Sequence, residues 1–384
     1  RPPRQPHNGR MTEWIDTPDA LRARLAHPPT VIGLDTEFIR ERTYWPQLAL
    51  VQIALGDPGD PGANGEILLV DPLVPGMPEA LAPLLADPAV LKLMHSPSED
   101  LVTFQHACGV LPVSLFDTQA AAALCGIGGG LGYQKLVHEV TGVALEKGET
   151  RSDWMRRPLS PSQLAYAADD VRHLHAIHHA LQAKLDTLDR SGWLAEDSTR
   201  QLANAANEDG DRWPHLGIRS SQFLDAPAQR RLLRLLRWRE AQARHSDRPR
   251  SWILDNELAT ALARSNPASP DALQAQLDAT PKSPRSLRDA LWQALTTPLA
   301  DEDDAPLARG EDRDKKQLRA MQEAVLAIAG ELGVPEGLLA SRKLLEALQD
   351  GGGWTGPLAG WRRQVLEARL GPLLASGGTG TASV

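Results

Sequence analysis

Two carboxylates stand two residues apart at the end of an apolar run, in Leu34-Asp35-Thr36-Glu37-Phe38. Because side chains alternate between the two faces of a β-strand, Asp35 and Glu37 are expected to point the same way. Two like charges at the end of a buried strand are costly unless something neutralises them. A divalent cation would do so, although an ion pair with Arg40 or Arg42 explains this segment alone equally well.

A third carboxylate, Asp100, follows a predicted strand in the segment His95-Ser96-Pro97-Ser98-Glu99-Asp100. Ser96, with proline next and Glu99 three residues later, predicts a capping box. Asp100 would then lie in the first turn of a helix, close to the end of the strand. An acid in a first turn is often only a partner of the helix dipole, and Glu99 already fits that description.

A tyrosine and a fourth carboxylate occur together in Tyr166-Ala-Ala-Asp169-Asp170. The preceding Ser160-Pro-Ser-Gln163 predicts another capping box, so this segment is expected to be helical. Tyr166 and Asp170 are four residues apart and therefore share a face of the helix. Asp169 is rotated by about 100° and is expected to face solvent. Alone, such a pair is most often a surface hydrogen bond.

Together these side chains have one joint explanation, a site for a pair of divalent cations. Mg²⁺ and Mn²⁺ prefer carboxylate and water oxygens as ligands. Two such ions, roughly 3.5–4 Å apart, stabilise the attacking and leaving oxygens in phosphodiester cleavage. Tyr166, one turn from Asp170, would then orient the attacking water. The carboxylates of the set are Asp35, Glu37, Asp100 and Asp170.

The first half of the chain alternates short apolar runs with helical patterns, which predicts an α/β domain with a mixed sheet and flanking helices. Strands are expected at residues 30–37, 47–55, 66–70 and 91–95. Helices are expected at about residues 96–108, 118–124 and 161–188. The carboxylates would thus be presented by one strand and two helices.

Beyond about residue 215 the strand pattern disappears and only helical patterns remain. Residues 301–314 hold seven acids against two arginines, which predicts a solvated linker between two helical units. The expected divisions are a disordered leader at 1–11, the α/β domain at 12–212, a helical domain at 219–298, the acidic linker at 299–314, a second helical domain at 315–375 and a flexible tail at 376–384.

Composition limits the class of protein further. The chain of 384 residues has 41 Lys and Arg against 49 Asp and Glu, and its net charge of −8 by itself disfavours a nucleic-acid partner. Its two cysteines, Cys108 and Cys125, are too few to cross-link it, which favours a reducing, cytoplasmic setting. No apolar run approaches the roughly 18 residues of a membrane span, so no membrane partner is expected.

The five side chains also carry a family resemblance. Asp35-x-Glu37, Asp100 and Tyr166-x-x-x-Asp170 resemble, in this order, the three motifs of the DEDD exonucleases. The tyrosine variant is indicated, because the histidine variant would need His where this chain has Ala165. The resemblance is closest to the ribonuclease D family and covers about residues 12–375. Further similar segments are residues 34–47, 95–101, 116–119 and 149–154 and, in the helical half, 339–345 and 360–363.

This resemblance implies a ribonuclease H-like α/β exonuclease core followed by two all-helical HRDC-type domains. It implies a 3′–5′ exoribonuclease that releases 5′-mononucleotides, with tRNA precursors as substrates. It also implies two bound Mg²⁺ or Mn²⁺ ions with Asp35 between them and Tyr166 on the attacking water. The implied metal ligands are Asp35, Glu37, Asp100 and Asp170. No protein partner is implied.

One segment departs from the acidic balance of the chain. Residues 219–250 contain nine arginines against three acids, a local charge of 9 − 3 = +6. Several share a predicted helix with a leucine stripe, and we expect them to contact the RNA backbone. A solvated helix face is the equally weighted alternative. The arginines concerned are Arg230, Arg231, Arg234 and Arg237.

Two other functions remain open at this point. The same carboxylates would serve a 3′–5′ exonuclease acting on DNA, because the 2′-hydroxyl is recognised by other groups. A non-catalytic RNA-binding scaffold is the other candidate, although a scaffold has no need of clustered acids. Histidines 173, 175, 178 and 179 spread around a predicted helix and are not expected to form a metal site.

Overall fold

The computed structural model describes residues 6–7, 10–57, 60–146, 148–149, 152–207, 209–281, 283–308 and 314–376. The chain forms two compact units. The larger unit, built on a β-sheet, comprises Arg1–Ile39, Pro46–Ala206 and Asp314–Val384. The smaller unit comprises Arg40–Trp45 and the mainly helical segment Asn207–Arg313.

The sheet of the larger unit has the spatial order β1-β2-β5-β4-β3-β6-β7. Strand β4 is antiparallel to both β3 and β5, whereas β6 runs parallel to β3 and β7 parallel to β6. The mixed sheet predicted from the sequence is therefore confirmed. The strands are β1 Pro6–His7, β2 Arg10–Ile15, β3 Val31–Ile39, β4 Gln47–Asp57, β5 Asp60–Val70, β6 Leu91–Met94 and β7 Leu115–Asp117.

Helices cover both faces of this sheet. Alternate residues of one strand serve the two sides, as in β5, where Leu68 and Val70 join one apolar cluster while Ile67 and Leu69 join the other. Leu68 and Val70 pack with α1, α2 and α3; Ile67 and Leu69 pack with α4 to α7. The helices are α1 Pro18–Arg24, α2 Met77–Ala86, α3 Ser98–Cys108, α4 Thr118–Leu124, α5 Tyr133–Thr141, α6 Pro161–Arg172, α7 Leu174–Thr187 and α8 Ser191–Ala206.

The smaller unit is organised around one long helix, α9. Asp225 caps its start by accepting a hydrogen bond from the Ala228 N–H, and the predicted leucine stripe, including Leu232, Leu235 and Leu236, faces the core. The shorter helices of this unit pack on that stripe. The five helices are α9 Ala226–Ser246, α10 Arg250–Ile253, α11 Asn256–Ser265, α12 Pro270–Ala279 and α13 Arg288–Thr296.

The last four helices return to the larger unit and share the core of the sheet domain. Met321 and Trp361 are fully buried in the same apolar cluster as Leu174 of α7. Trp361 stacks on Trp193 of α8 with ring centroids 4.4 Å apart. These helices are α14 Lys315–Leu332, α15 Glu336–Leu339, α16 Arg342–Gln349 and α17 Trp361–Ser376.

Several local expectations are corrected by the structure. The predicted capping box at Ser96 is wrong, because Ser96 has φ +53° and α3 begins at Ser98 without a side-chain cap. The single helix expected at 161–188 is two helices, broken at His173. The capping box formed by Ser160 and Gln163 is confirmed.

The two ends of the chain lie largely outside the described residues. Of the predicted leader at 1–11, residues 6–7 and 10–11 belong to β1 and β2, which pair antiparallel. Of the predicted tail at 376–384, only Ser376 is described, as the last residue of α17. Among the helices that the structure describes, none has the length and apolar character needed to cross a bilayer.

Candidate active site

The end of strand β3 carries Asp35 and Glu37 at an incomplete edge of the sheet. Strand β6 pairs with β3 only as far as Gly33, while β4 accompanies β3 to Ile39. Beyond Gly33 the β6 side of the strand is therefore open. A register shift in the β3–β4 pairing between Glu37 and Phe38 bends the strand just after the second acid.

The two acids face the side of the sheet covered by α6 and α7. Gly33 shares their side of the strand, and a Cβ placed there would lie 3.1 Å from a methyl group of Leu174 in α7. The intervening residues Ile32 and Leu34 join the cluster on the opposite side. The alternation inferred from the sequence therefore holds, and it directs Asp35 and Glu37 toward α6.

Helix α3 supplies Asp100 from the opposite side of the strand. The side chain of Asp100 is 8% exposed, and the Thr36 hydroxyl donates a hydrogen bond to its carboxylate. Thr36 lies between Asp35 and Glu37 and points to the other face, so this bond brings the third acid to the end of β3. Asp100 occupies the first turn of α3, as expected.

Helix α6 supplies Tyr166 and Asp170. The Tyr166 side chain hydrogen-bonds to the Asp170 carboxylate, which confirms that the two residues share a face. Trp154 packs near the Tyr166 ring, with centroids 6.1 Å apart. The chain at Gly148 runs so close that a Cβ there would lie 2.9 Å from Cδ2 of Tyr166, so only glycine fits without a shift.

The electrostatics show that the four acids lie near one another. Burial, followed by the charges of Asp100, Asp170 and Glu37, raises the pKa of Asp35 well above its usual value. Burial and the charges of Asp170 and Asp100 raise the pKa of Glu37 to about 8. The pKa of Asp170 rises to about 7 and that of Asp100 to about 6, in both cases mainly through burial. A cation placed among these acids would relieve their mutual repulsion.

The four carboxylates suit hard divalent ions whose coordination is completed by water and by a substrate phosphate. Carboxylate oxygens are the ligands that Mg²⁺ and Mn²⁺ prefer. Within the described parts of the chain, no three His, Cys, Asp or Glu side chains form a ready-made cage for a metal ion. Mg²⁺ usually takes only one or two carboxylates, with water and substrate phosphates completing its coordination. The four acids fit that kind of open site.

Sequence reasoning missed Tyr133, which supports the site from α5. Its buried hydroxyl donates to the Asp169 carbonyl at 3.2 Å and accepts from the His173 N–H at 3.1 Å. These two groups lie where α6 ends and α7 begins, next to Asp170. Tyr133 therefore fixes the end of the helix that presents the fourth acid. A buried tyrosine needs a hydrogen-bond partner, but nothing in the sequence indicates which one.

Two histidines of α7 contact the core, whereas His179 is exposed. His175 Nε2 lies 3.3 Å from the Val31 carbonyl oxygen. The His178 ring packs edge-on against Phe116 with centroids 4.6 Å apart, and burial lowers the pKa of His178 to about 4.

The arginines expected to form a basic surface are instead paired with acids of the predicted linker. Arg234 binds Glu302, with Nε 2.6 Å from Oε2, and Glu302 is buried. Arg237 lies 2.7 Å from Asp301, whose pKa its hydrogen bond lowers to about 2. Arg230 and Asp303 are 3.2 Å apart, and Arg231 Nε donates to the Ala263 carbonyl at 2.8 Å.

This pairing bears on two expectations. Within the acidic block, Asp301 and Glu302 are engaged with arginines of α9 in the smaller unit, whereas Asp303 and Asp304 are exposed, so the block is solvated only in part. The four arginines do not form an unpaired basic face, since three of them are matched by carboxylates. A contact between these arginines and RNA stays a prediction, with less electrostatic support than the sequence indicated.

Comparison with known proteins assigns both halves of the chain to families. Residues 12–186 match the 3′–5′ exonuclease family and residues 228–282 match the HRDC domain family. Together with the mixed sheet, these matches define a ribonuclease H-like 3′–5′ exonuclease core accompanied by an HRDC domain.

Relatives that match over nearly their whole length identify the family of exonucleases more narrowly. The chain is 61% identical over 366 residues to ribonuclease D of Xanthomonas oryzae pv. oryzae, covering 95% of this chain and 99% of the relative. It is 38% identical to ribonuclease D of Pseudomonas paraeruginosa, covering 93% of this chain and 96% of the relative. The chain belongs to the ribonuclease D family of 3′–5′ exoribonucleases.

Solved structures agree with this assignment. The crystal structure of Escherichia coli RNase D, described as an exoribonuclease involved in structured RNA processing, matches with a TM-score of 0.79 at 29% identity, covering 95% of this chain and 99% of that one. The catalytic core of RRP6 from Trypanosoma brucei matches with a TM-score of 0.55 at 21% identity, covering 76% of this chain and 81% of that one, and so supports the fold alone.

Proposed function

We propose that this exoribonuclease hydrolyses the 3′-terminal phosphodiester of RNA at the end of β3, with two divalent ions held by acidic side chains, and releases 5′-mononucleotides. The observation that carries the proposal is the group of four acids whose pKa values are all raised by burial at one place. Such a group is costly unless cations bind it. The proposed ligands are Asp35, Glu37, Asp100 and Asp170.

Asp35 would be the central residue of the set that holds the ions. It is the one acid whose pKa is raised by the charges of all three of the others, so it lies among them. When bound, the ions would supply Lewis-acid stabilisation to the charge that develops on the phosphate oxygens. Asp35, Glu37, Asp100 and Asp170 would hold the terminal phosphate in place through those ions.

Tyr166 is proposed to orient the attacking water. Its hydrogen bond to Asp170 fixes the phenol next to a proposed ligand. With its one O–H donated to Asp170, the phenol oxygen can still accept a hydrogen bond from a water. The close approach of Gly148 and the packing of Trp154 restrict the Tyr166 ring to this position.

We further propose finer assignments that extend the family resemblance. The substrates are tRNA precursors with 3′ extensions, which suits relatedness to an Escherichia coli enzyme described as acting in structured RNA processing. The ions are Mg²⁺ or Mn²⁺, and the setting is the cytoplasm. The domain bounds are 12–212 for the exonuclease domain, 219–298 for the HRDC domain and 315–375 for a second HRDC-type domain.

Matched RNA and DNA substrates test this proposal. A 5′-labelled single-stranded RNA and the same sequence as DNA are incubated with Mg²⁺ or Mn²⁺, with and without chelator. We expect stepwise shortening of the RNA from its 3′ end, abolished by chelator and by Asp35→Ala. Faster digestion of the DNA would indicate a DNA exonuclease instead. RNA binding without cleavage of either strand would indicate a scaffold.

A further inference from the structure

The smaller unit contains a polar cavity of about 730 Å³ that the proposed active site does not use. Part of its wall comes from residues 40–45, and the rest comes from α9 and from residues 249–257. Arg40, Arg239 and Arg250 line it. The volume lies within the range of cavities that bind small ligands. Guanidinium groups recognise phosphate and carboxylate oxygens through paired hydrogen bonds.

Residues 40–45 form a fixed wall of this cavity. The backbone N–H groups of Tyr44 and Trp45 both donate to one carboxylate oxygen of Asp247, at 3.0 Å each. The Tyr44 hydroxyl donates to Glu240 and accepts from Arg250 Nη2 at 3.0 Å. The Tyr44 ring itself is buried beside Ala243 and Ile253. These bonds hold the segment in place on α9.

Arg239 is the side chain that indicates an anionic ligand. Only 9% of this residue is exposed. Its Nη1 donates to the Leu254 carbonyl at 3.1 Å and to the Asn256 side chain at 2.7 Å, whereas its buried Nε has no partner. Both of these acceptors are neutral. The charges of Glu240 and Asp255 stabilise the guanidinium, while burial and the charge of Arg250 oppose it. A buried donor without a hydrogen-bond partner is costly, so an anion entering the cavity would add a favourable interaction there.

The remaining charges limit the ligand to a small anion. Three acids also line the cavity and balance its three arginines. Asp255 is engaged in capping α11 through the Leu258 N–H at 2.8 Å, while Glu41 and Glu257 are exposed. A lining with balanced charge does not favour a polyanion. It fits a single phosphodiester bound at the buried end.

We propose that this cavity binds one nucleotide of the RNA strand, upstream of the 3′ end being hydrolysed, with its phosphodiester on Arg40 and Arg239. Arg40 follows Glu37 by only three residues in the sequence, so the chain itself keeps their Cα atoms within about 11 Å of each other. Trp252, adjacent in sequence to the lining residue Ser251, is 58% exposed and offers a surface on which a base can stack. This inference rests on the proposed function.

Binding of RNA to the full-length chain in chelator tests the inference without cleavage. The probe is a 5′-fluorescent single-stranded RNA of about twelve nucleotides, titrated between roughly 50 and 200 mM salt. Arg40→Gln and Arg239→Lys are compared with wild type and with Arg288→Gln, a matched control in the same unit that lies outside the cavity. Circular dichroism verifies folding, and the exposed Arg40 keeps the test valid if Arg239→Lys unfolds.

We expect both cavity variants to bind the RNA about five- to tenfold more weakly, while Arg288→Gln matches wild type. The salt slope should become shallower by about 0.7 only in Arg40→Gln, because lysine keeps the positive charge in Arg239→Lys. Wild-type affinity and slope in Arg40→Gln would overturn the inference. An equal loss in Arg288→Gln would also overturn it. Wild-type cleavage of RNA in Mg²⁺ is measured separately, so a failure of the proposed function is distinguishable.

Discussion

At the scale of a single residue, Glu37 shows how the proposed site lowers the free energy of unfolding of the metal-free protein. Burial and the charges of Asp170 and Asp100 raise its pKa from 4.5 to about 8. Between these two pH values the folded protein without metal holds a proton that the unfolded chain has released. The free energy of unfolding therefore falls as pH rises through this window. A bound cation would remove the penalty by favouring the ionised carboxylate.

Replacing Glu37 by glutamine should therefore stabilise the metal-free protein at high pH. We expect Glu37→Gln to raise the free energy of unfolding by roughly 1–2 kcal/mol at pH 8, a value reduced because the side chain is partly exposed, and to change it little at pH 5. Urea unfolding in chelator measures both values. A difference from wild type that is the same at the two pH values would contradict the assignment of this shift to Glu37.

At the scale of elements, the contact between α17 and α8 attaches the last helices to the sheet domain. Arg362 binds Asp197 through two hydrogen bonds of 2.6 and 2.9 Å, and both side chains are largely buried. Burial alone would raise the pKa of Asp197, but the hydrogen bonds and charge of Arg362 hold it below its usual value. The Trp361 N–H adds a bond of 2.8 Å to Glu196. This end of α17 is therefore fixed by charge as well as by apolar packing.

Breaking this pair should cost much more than breaking an exposed one. We expect Asp197→Asn to lower the free energy of unfolding by about 3 kcal/mol, because Arg362 would remain buried without a counter-charge. The matched control is Glu367→Gln, which removes the exposed partner of Arg363 on the same helix and should leave the free energy of unfolding nearly unchanged. Chemical denaturation compares the two variants. Equal losses would show that the buried pair does not anchor α17.

Features that depend on residue spacing within one strand or helix were predicted correctly from the sequence. The same-side placement of Asp35 and Glu37, the capping box at Ser160 and the pairing of Tyr166 with Asp170 each depend on residues a few positions apart. Such spacings translate directly into geometry, because strands and helices have fixed periods. These features established the family and most of the proposed site before any fold was known.

Features that depend on partners far away in the sequence were not predicted. The hydroxyl of Tyr133 reaches Asp169 and His173, and nothing local to Tyr133 predicts this. The break at His173 was missed for the same reason, because a helical pattern continues on both sides of it. Strand β2 was missed because it begins in the polar segment that was predicted to be a disordered leader, and β7 was missed because it has only three residues.

At the scale of the whole molecule, the net charge of −8 is distributed in a way that the total conceals. Four acids lie at the proposed metal site, while three of the six arginines of α9 are matched by Asp301, Glu302 and Asp303. These three arginines are therefore already neutralised within the smaller unit and contribute little to nonspecific binding to nucleic acid. Its RNA affinity should come from the metal site and from local contacts such as the cavity beside Arg239.

The most direct test of the central claim is single-turnover removal of the 3′-terminal nucleotide of RNA, measured against divalent-ion concentration for wild type, Tyr166→Phe and Asp35→Ala. If Tyr166 orients the attacking water and Asp35 holds the ions, Tyr166→Phe should lose about 100-fold in rate with an unchanged metal dependence, and Asp35→Ala should lose both activity and metal response. A wild-type rate or a shifted metal dependence in Tyr166→Phe, or cleavage that survives in Asp35→Ala, would contradict the account.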